Sequence, residues 1–148
     1  MKKVILEETI KTLAITFTGF LLNLAQCRLE MAEYKQNESA FGTAFGTDVF
    51  YAALLILPIL LIAALLTIRL RALFRLILLA ILYLLSAIWA NCAVFEARVA
   101  PWNHFTYKET LLYVAGYHNA FPLLGAAIYY VALRLLFRYI FEKTDAAV

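Results

Sequence analysis

The chain has 148 residues, is 65% hydrophobic and has a mean hydropathy of +0.82, whereas soluble domains run at about 45–50% apolar on a comparable count. That composition excludes an ordinary soluble domain, and the length leaves no room for a helical bundle and a sizeable soluble domain together. The net charge of +3 is scattered, with no basic block carrying interleaved aromatics, so a nucleic-acid partner is not expected.

Residues 1–11 are polar and carry Lys2, Lys3 and Lys11, which suits a cytoplasmic start. The start resembles a secretory signal, but Glu7 and Glu8 interrupt it and Cys27 is followed by RLEMAEYK rather than small residues. A retained helix over about residues 10–27 is therefore expected. Asn23 and Gln26 are three apart and share one face of it, where polar groups of a membrane helix pack against other helices. Residues 28–48 form an outer loop with Glu30, Glu33, Glu38 and Asp48 against Arg28 and Lys35, and LEMAEYK is able to prolong the first helix. Asn37-Glu38-Ser39 has the form of a glycosylation sequon, a short pattern of low specificity. Gly42 and Gly46 stand at the start of the next helix rather than in its middle, so they read as a flexible or close-packed start and not as a dimer motif.

Two charge-free apolar runs of about 20 residues each follow, over about 49–68 and 76–95. About 20 helical residues cross the roughly 30 Å hydrocarbon core, and strand-like alternation is missing, so the two runs read as a membrane hairpin. Arg69, Arg71 and Arg75 lie at its turn, which the positive-inside rule places in the cytoplasm. Pro58 predicts a kink in the second span. Trp89 suits the interfacial belt at the end of the third. Cys27 and Cys92 fall near the same face; a disulfide is geometrically possible, and two buried free thiols are favoured.

The second outer loop, EARVAPWNHFTYKE, mixes aromatics with charges as a headgroup region does. Residues 106–118 then predict an amphipathic helix from Tyr107, Thr110, Leu111, Val114 and Tyr117, lying along the surface or leading directly into the next span. Asn119 and Pro122 argue for a break between them. The fourth span covers about 120–138, with a small-residue patch at Gly125, Ala126 and Ala127. The fold expected is an all-α integral membrane protein, a single transmembrane helical domain over residues 1–148. It has four transmembrane helices and a short amphipathic helix on the outer face. Nine of the thirteen Lys and Arg residues then lie on the inner side and four on the outer, so both termini are expected in the cytoplasm of an inner (plasma) membrane.

Chemistry is sparse. There are two histidines, His104 and His118, no HxxxH or CxxC spacing, and no acid at mid-membrane where a carboxylate proton pathway would need one. No catalytic residue, metal ligand or cofactor is assigned. The outer mouth of the bundle collects Asp48, Glu96, Arg98, Trp102, His104 and Tyr107, which are the candidates for contact with a lipid headgroup or a partner's outer domain. Arg98 is the natural phosphate ligand, because a guanidinium engages phosphate in a bidentate way; the alternative is that it neutralises Glu96 and Asp48.

Phe45-Gly46-Thr47-Asp48, then a helix containing Pro58, a basic turn, and a third helix reaching Asn91, Phe95, Glu96 and Arg98 before an amphipathic segment with Leu112-Tyr113, resembles a known arrangement. It is similar to the membrane portion of sulfatase-like phosphoglycerol transferases of the lipoteichoic acid synthase type, over about residues 41–117, roughly half the chain. That resemblance implies a multi-pass module in cell-envelope assembly. The family's threonine nucleophile and metal lie in a large outer domain beyond a fifth helix, and no residue of this chain matches them, so the expectation is a non-catalytic module lacking that domain. Membrane lipids and a protein partner or further copies of the chain are the expected partners. The alternatives are an accessory subunit of a larger membrane enzyme or transporter, and a small-solute carrier acting as a homo-oligomer, which the lack of intramembrane charge disfavours.

Overall fold

A computed structural model describes residues 2–68 and 70–138, without the side chains of residues 2–5, 7, 101 and 102. The protein is 84% helical with no strand among these residues. In chain order the helices are α1 (Lys2–Glu30), a 3₁₀ turn (Ala32–Gln36), α2 (Phe45–Leu55), α3 (Leu57–Leu66), α4 (Ala72–Arg98), α5 (Ala100–Asn103), α6 (Tyr107–Tyr117) and α7 (Ala120–Leu136).

The inward face of α1 is set by Thr12, Ile15, Thr16, Gly19, Asn23, Gln26 and Cys27, a spacing of three and four that makes one helical stripe. Four of those seven are threonine or amide side chains. The opposite face exposes Leu13, Phe17, Leu21 and Leu29. An aqueous protein would reverse this arrangement, because its strongest drive is to remove apolar surface from water. The same inversion recurs along α2, α3, α4 and α7, which expose Phe50, Leu65, Leu66, Phe74, Leu85 and Val131. A contiguous apolar exterior around a partly polar interior suits a bilayer as solvent.

Three stretches are long and apolar enough to cross a membrane: Glu8–Glu30, Phe45–Leu66 and Ala72–Arg98. A fourth arises if α6 and α7, bent by 67° from one another, count together. The second stretch is broken where expected. Pro58 lies in the first turn of α3 and Ile56 joins α2 to α3, since proline has no N–H and its ring clashes with the preceding turn. The break between α6 and α7 falls at His118 and Asn119, before Pro122, as the sequence indicates. Thr106 caps α6 in a reciprocal box with Glu109, which fixes where the helix starts after the loop. LEMAEYK does prolong the first helix, by one turn of α-helix and then the 3₁₀ turn.

In the bundle α7 packs against α1 and α4, α3 against α1, and α2 against both α1 and α4. Its centre is a stacked pair, Tyr83 of α4 and Tyr129 of α7, with ring centroids 4.8 Å apart. The Tyr129 hydroxyl donates to the Ile15 carbonyl at 3.1 Å. Gly125 permits this packing: a Cβ there would come within 2.7 Å of the Tyr83 hydroxyl oxygen. Nearer the α4 C-terminal end, Gln26 donates to Asn23 at 2.8 Å and to Asn91 at 3.3 Å, so amide groups tie α1 to α4. Cys27 and Cys92 are both free and buried. Arg75, expected among the turn residues, is instead buried in the first turn of α4, with its guanidinium 5.0 Å from the Phe137 ring.

Candidate functional site: a basic cleft at one end of the bundle

The last turn of α4 and the first turn of α2 meet at the end of the bundle where α1 finishes. The loop between the 3₁₀ turn and α2 closes over them. Its path is pinned by the main chain, with the Ala40 N–H donating to the Ala97 carbonyl at 2.8 Å and the Gly42 N–H to Ser39 at 3.0 Å. Gly42 has φ of +66°, a left-handed conformation that glycine adopts without steric cost.

Arg98 is the hub of this region. Its Nε donates to Asp48 Oδ2 at 2.8 Å, and both side chains are nearly buried, with 2% and 6% of their surface exposed. Nη1 donates to the carbonyls of Asn37 and, at 3.4 Å, Lys35. Nη2 donates to the Thr43 carbonyl at 3.0 Å. The Phe45 ring lies 5.3 Å from the guanidinium carbon, and the second Asp48 oxygen accepts from the Thr43 hydroxyl. Burying two charges is costly unless they are paired and hydrogen-bonded, and here the fork of Arg98 is satisfied by one carboxylate and three carbonyls. Its chemistry is that of a brace binding a loop to two helices.

Around this brace the loop and helix ends leave an open cleft of about 630 Å³, lined among others by Arg28, Lys35, Glu38, Thr43, Gly46 and Arg98. A second polar recess, lined by Asn37, Glu38, Arg98 and Asn103, adjoins it. Among the described residues no hydrogen bond or ion pair engages the Arg28 guanidinium or the Lys35 ammonium. Both side chains are exposed.

Of the six residues singled out in the sequence, the structure brings Asp48 and Arg98 together. Glu96 is half-buried on α4, two residues before Arg98 and therefore on another face. His104 closes α5 with φ of 55° and is exposed, and Tyr107 is exposed at the start of α6. None of these three bonds to Arg98 or Asp48 among the described residues. The side chain of Trp102 lies outside them. The basic lining of the cleft, Arg28 and Lys35, went unrecognised in the sequence because a loop closure brings them beside Arg98. Only their sign, in a loop otherwise rich in acids, hinted at it.

A second cluster lies at the α6–α7 corner. There His118 faces Glu30 with Nδ1 at 3.4 Å and Glu33 with Nε2 at 3.2 Å. The Tyr34 hydroxyl is 2.9 Å from Nε2. Glu30 also accepts the Phe121 N–H at 2.8 Å. Burial first, and then the neighbouring Glu33 and Tyr113, raise the Tyr34 phenol above its ordinary range, so it acts there as a neutral hydroxyl. The spacing of Glu30, Glu33 and Tyr34 on one helical extension was legible; their meeting with a histidine 85 residues after Glu33 was not. Among the described residues no group of three or more His, Cys, Asp or Glu side chains is arranged to hold a metal ion.

No protein family, curated protein or solved structure matches this chain.

Proposed function

We propose that the protein is a non-catalytic module of the inner membrane, with four spans and both termini in the cytoplasm, that holds an anionic lipid headgroup in the basic cleft on its outer face. On this reading it serves cell-envelope assembly, as the membrane portion of a sulfatase-like transferase would. The observation that carries the proposal is the pair Arg28 and Lys35, two cations without partners among the described residues, beside an open cleft whose own arginine is committed to bracing it. Glu38 shares the lining, so the cleft keeps a small excess of positive charge rather than an indiscriminate basic patch. The partition of Lys and Arg residues, nine to four, supports the orientation.

The test is lipid retention. Protein extracted in mild detergent is exchanged against phosphatidylglycerol or phosphatidylcholine, and bound lipid is measured by native mass spectrometry. Retention of the anionic lipid is expected to exceed that of the zwitterionic one. It should fall about 30-fold in Arg28→Gln/Lys35→Gln, as loss of about 1 kcal/mol per basic residue near a membrane surface implies. Equal retention of both lipids, or an unaffected double variant, contradicts the headgroup reading.

A second reading, an accessory subunit of a larger membrane complex, is favoured by one feature. A shallow apolar groove of about 410 Å³ runs between α4 and α7 over Ile81, Leu84, Ala126 and Ala127, and small residues let a partner helix approach closely. A stoichiometric second protein in the same mild-detergent preparation distinguishes the two.

A further inference from the structure

The cluster at the α6–α7 corner poses a problem of proton counting. A neutral imidazole has one N–H donor and one acceptor nitrogen; the cation has two donors. Both ring nitrogens of His118 face a carboxylate, Glu30 at 3.4 Å and Glu33 at 3.2 Å. In the neutral ring, Nδ1–H donates to Glu30 and Nε2 accepts from the Tyr34 hydroxyl at 2.9 Å. The Glu33 carboxylate then faces a lone pair and is repelled. In the cation, Nε2–H donates to Glu33, and the Tyr34 hydroxyl is released to donate to the same carboxylate. Glu30 keeps its place in both states, because it also accepts the N–H of Phe121 in the first turn of α7.

Of the two carboxylates, only Glu33 therefore changes its bonding with the proton. Its side chain is 57% exposed, against 7% for Glu30, so it is free to leave. We propose that His118 and Glu33 form a proton-operated latch: protonation of His118 replaces the neutral Tyr34–Nε2 hydrogen bond with a charged Nε2–H bond to Glu33 and tightens the 3₁₀ turn on the α6–α7 corner, and deprotonation loosens it. The groups facing His118 are Glu30 from α1, Glu33 and Tyr34 from the 3₁₀ turn, and the Tyr113 ring from α6 at 5.6 Å. Phe95 of α4 backs Tyr34 without a charge, at 5.4 Å. No cation stands among these groups to oppose a proton on the ring. Because the 3₁₀ turn carries Lys35 and leads to Asn37, whose carbonyl Arg98 holds, the latch sits on the wall of the basic cleft. It operates whether or not that cleft takes a lipid.

The test places a spin label on Gln36→Cys, an exposed residue at the end of the 3₁₀ turn; the native cysteines are buried and stay unlabelled. Spectra of the detergent-solubilised chain are compared at about pH 5.5 and about pH 8, either side of the ordinary histidine range. The ratio of mobile to immobile label is expected to rise about fivefold at the higher pH, the size of one partly exposed ion pair. Glu33→Gln, a change at an exposed side chain that leaves the core intact, should abolish this dependence, and Glu96→Gln should preserve it. A label equally mobile at both pH values, or a dependence that survives Glu33→Gln, overturns the latch.

Discussion

At the scale of single residues, the protein's main charged contact is a fastener. Arg98 and Asp48 lie 50 residues apart in sequence and are both nearly buried. Removing one member of a buried pair leaves an uncompensated charge, at a cost of about 3–5 kcal/mol. Arg98→Ala is therefore expected to lower the detergent melting temperature sharply. The double change with Asp48→Ala should recover part of the loss, because it removes the orphaned carboxylate. Equal stabilities for the single and double variants would show that the carboxylate is not what Arg98 neutralises. The sequence offered neutralisation of Asp48 and Glu96 as an alternative to phosphate binding for this arginine. Position alone did not separate the roles, because the three carbonyls that occupy the guanidinium belong to the 3₁₀ turn and the loop after it, whose closure no local pattern encodes.

Gly125 is a second position where one atom decides the packing. Gly125→Ala pushes a methyl group to within 2.7 Å of the Tyr83 hydroxyl oxygen and 3.2 Å of its Cε1. Overpacking of this kind costs about 1–3 kcal/mol. Tyr83→Phe removes the closest atom, a buried hydroxyl with no hydrogen-bond partner among the described residues, and should restore part of the stability of Gly125→Ala. Thermal unfolding of the two single variants and the double variant measures the coupling. Strict additivity would place the clash elsewhere.

At the scale of elements, most of the helices were legible and their ends were less so. Charge-free runs, Pro58 and the Asn119–Pro122 break each mark a physical event: a length matched to the bilayer, a missing N–H, a fixed backbone angle. The prolongation of α1 through LEMAEYK was legible too; the burial of Arg75 was not, because it depends on what neighbouring helices present. The Thr106–Glu109 box sets the start of α6. Hydrogen bonds from the Thr106 backbone and then its side chain hold the Glu109 carboxyl below its ordinary range. A depressed folded-state value means that the cap's contribution is complete above the ordinary carboxylate range and is lost as pH falls through the folded value. The protection of amides in the first turn of α6, measured against their intrinsic exchange rates, should therefore fall on acidification below about pH 4. Thr106→Ala should weaken the cap by about 1 kcal/mol at neutral pH. If exchange in Thr106→Ala matched that of the unchanged protein at neutral pH, the cap would not hold this turn.

At the scale of the whole molecule, the exterior is apolar and the interior partly polar, and the charged groups gather at the two ends. Composition and run length foretold helices of this length with apolar exteriors. The end nearest the α1 C-terminus gathers the Arg98 brace, the basic cleft and the His118 cluster within one face. The residues that assemble there come from α1, α2, α4, α6 and α7, the 3₁₀ turn and the loop after it, so the site's composition emerged only from tertiary packing. The headgroup site proposed for that face requires it to look outward, away from the turn that carries Arg71. Single cysteines at Gln36, Lys108 and Leu70, all at exposed positions, measure this directly in intact cells with a membrane-impermeant thiol reagent. Gln36→Cys and Lys108→Cys should label without permeabilisation, and Leu70→Cys only after it. Labelling of Leu70→Cys in intact cells, with Gln36→Cys protected, would invert the molecule and contradict the outer-face headgroup site.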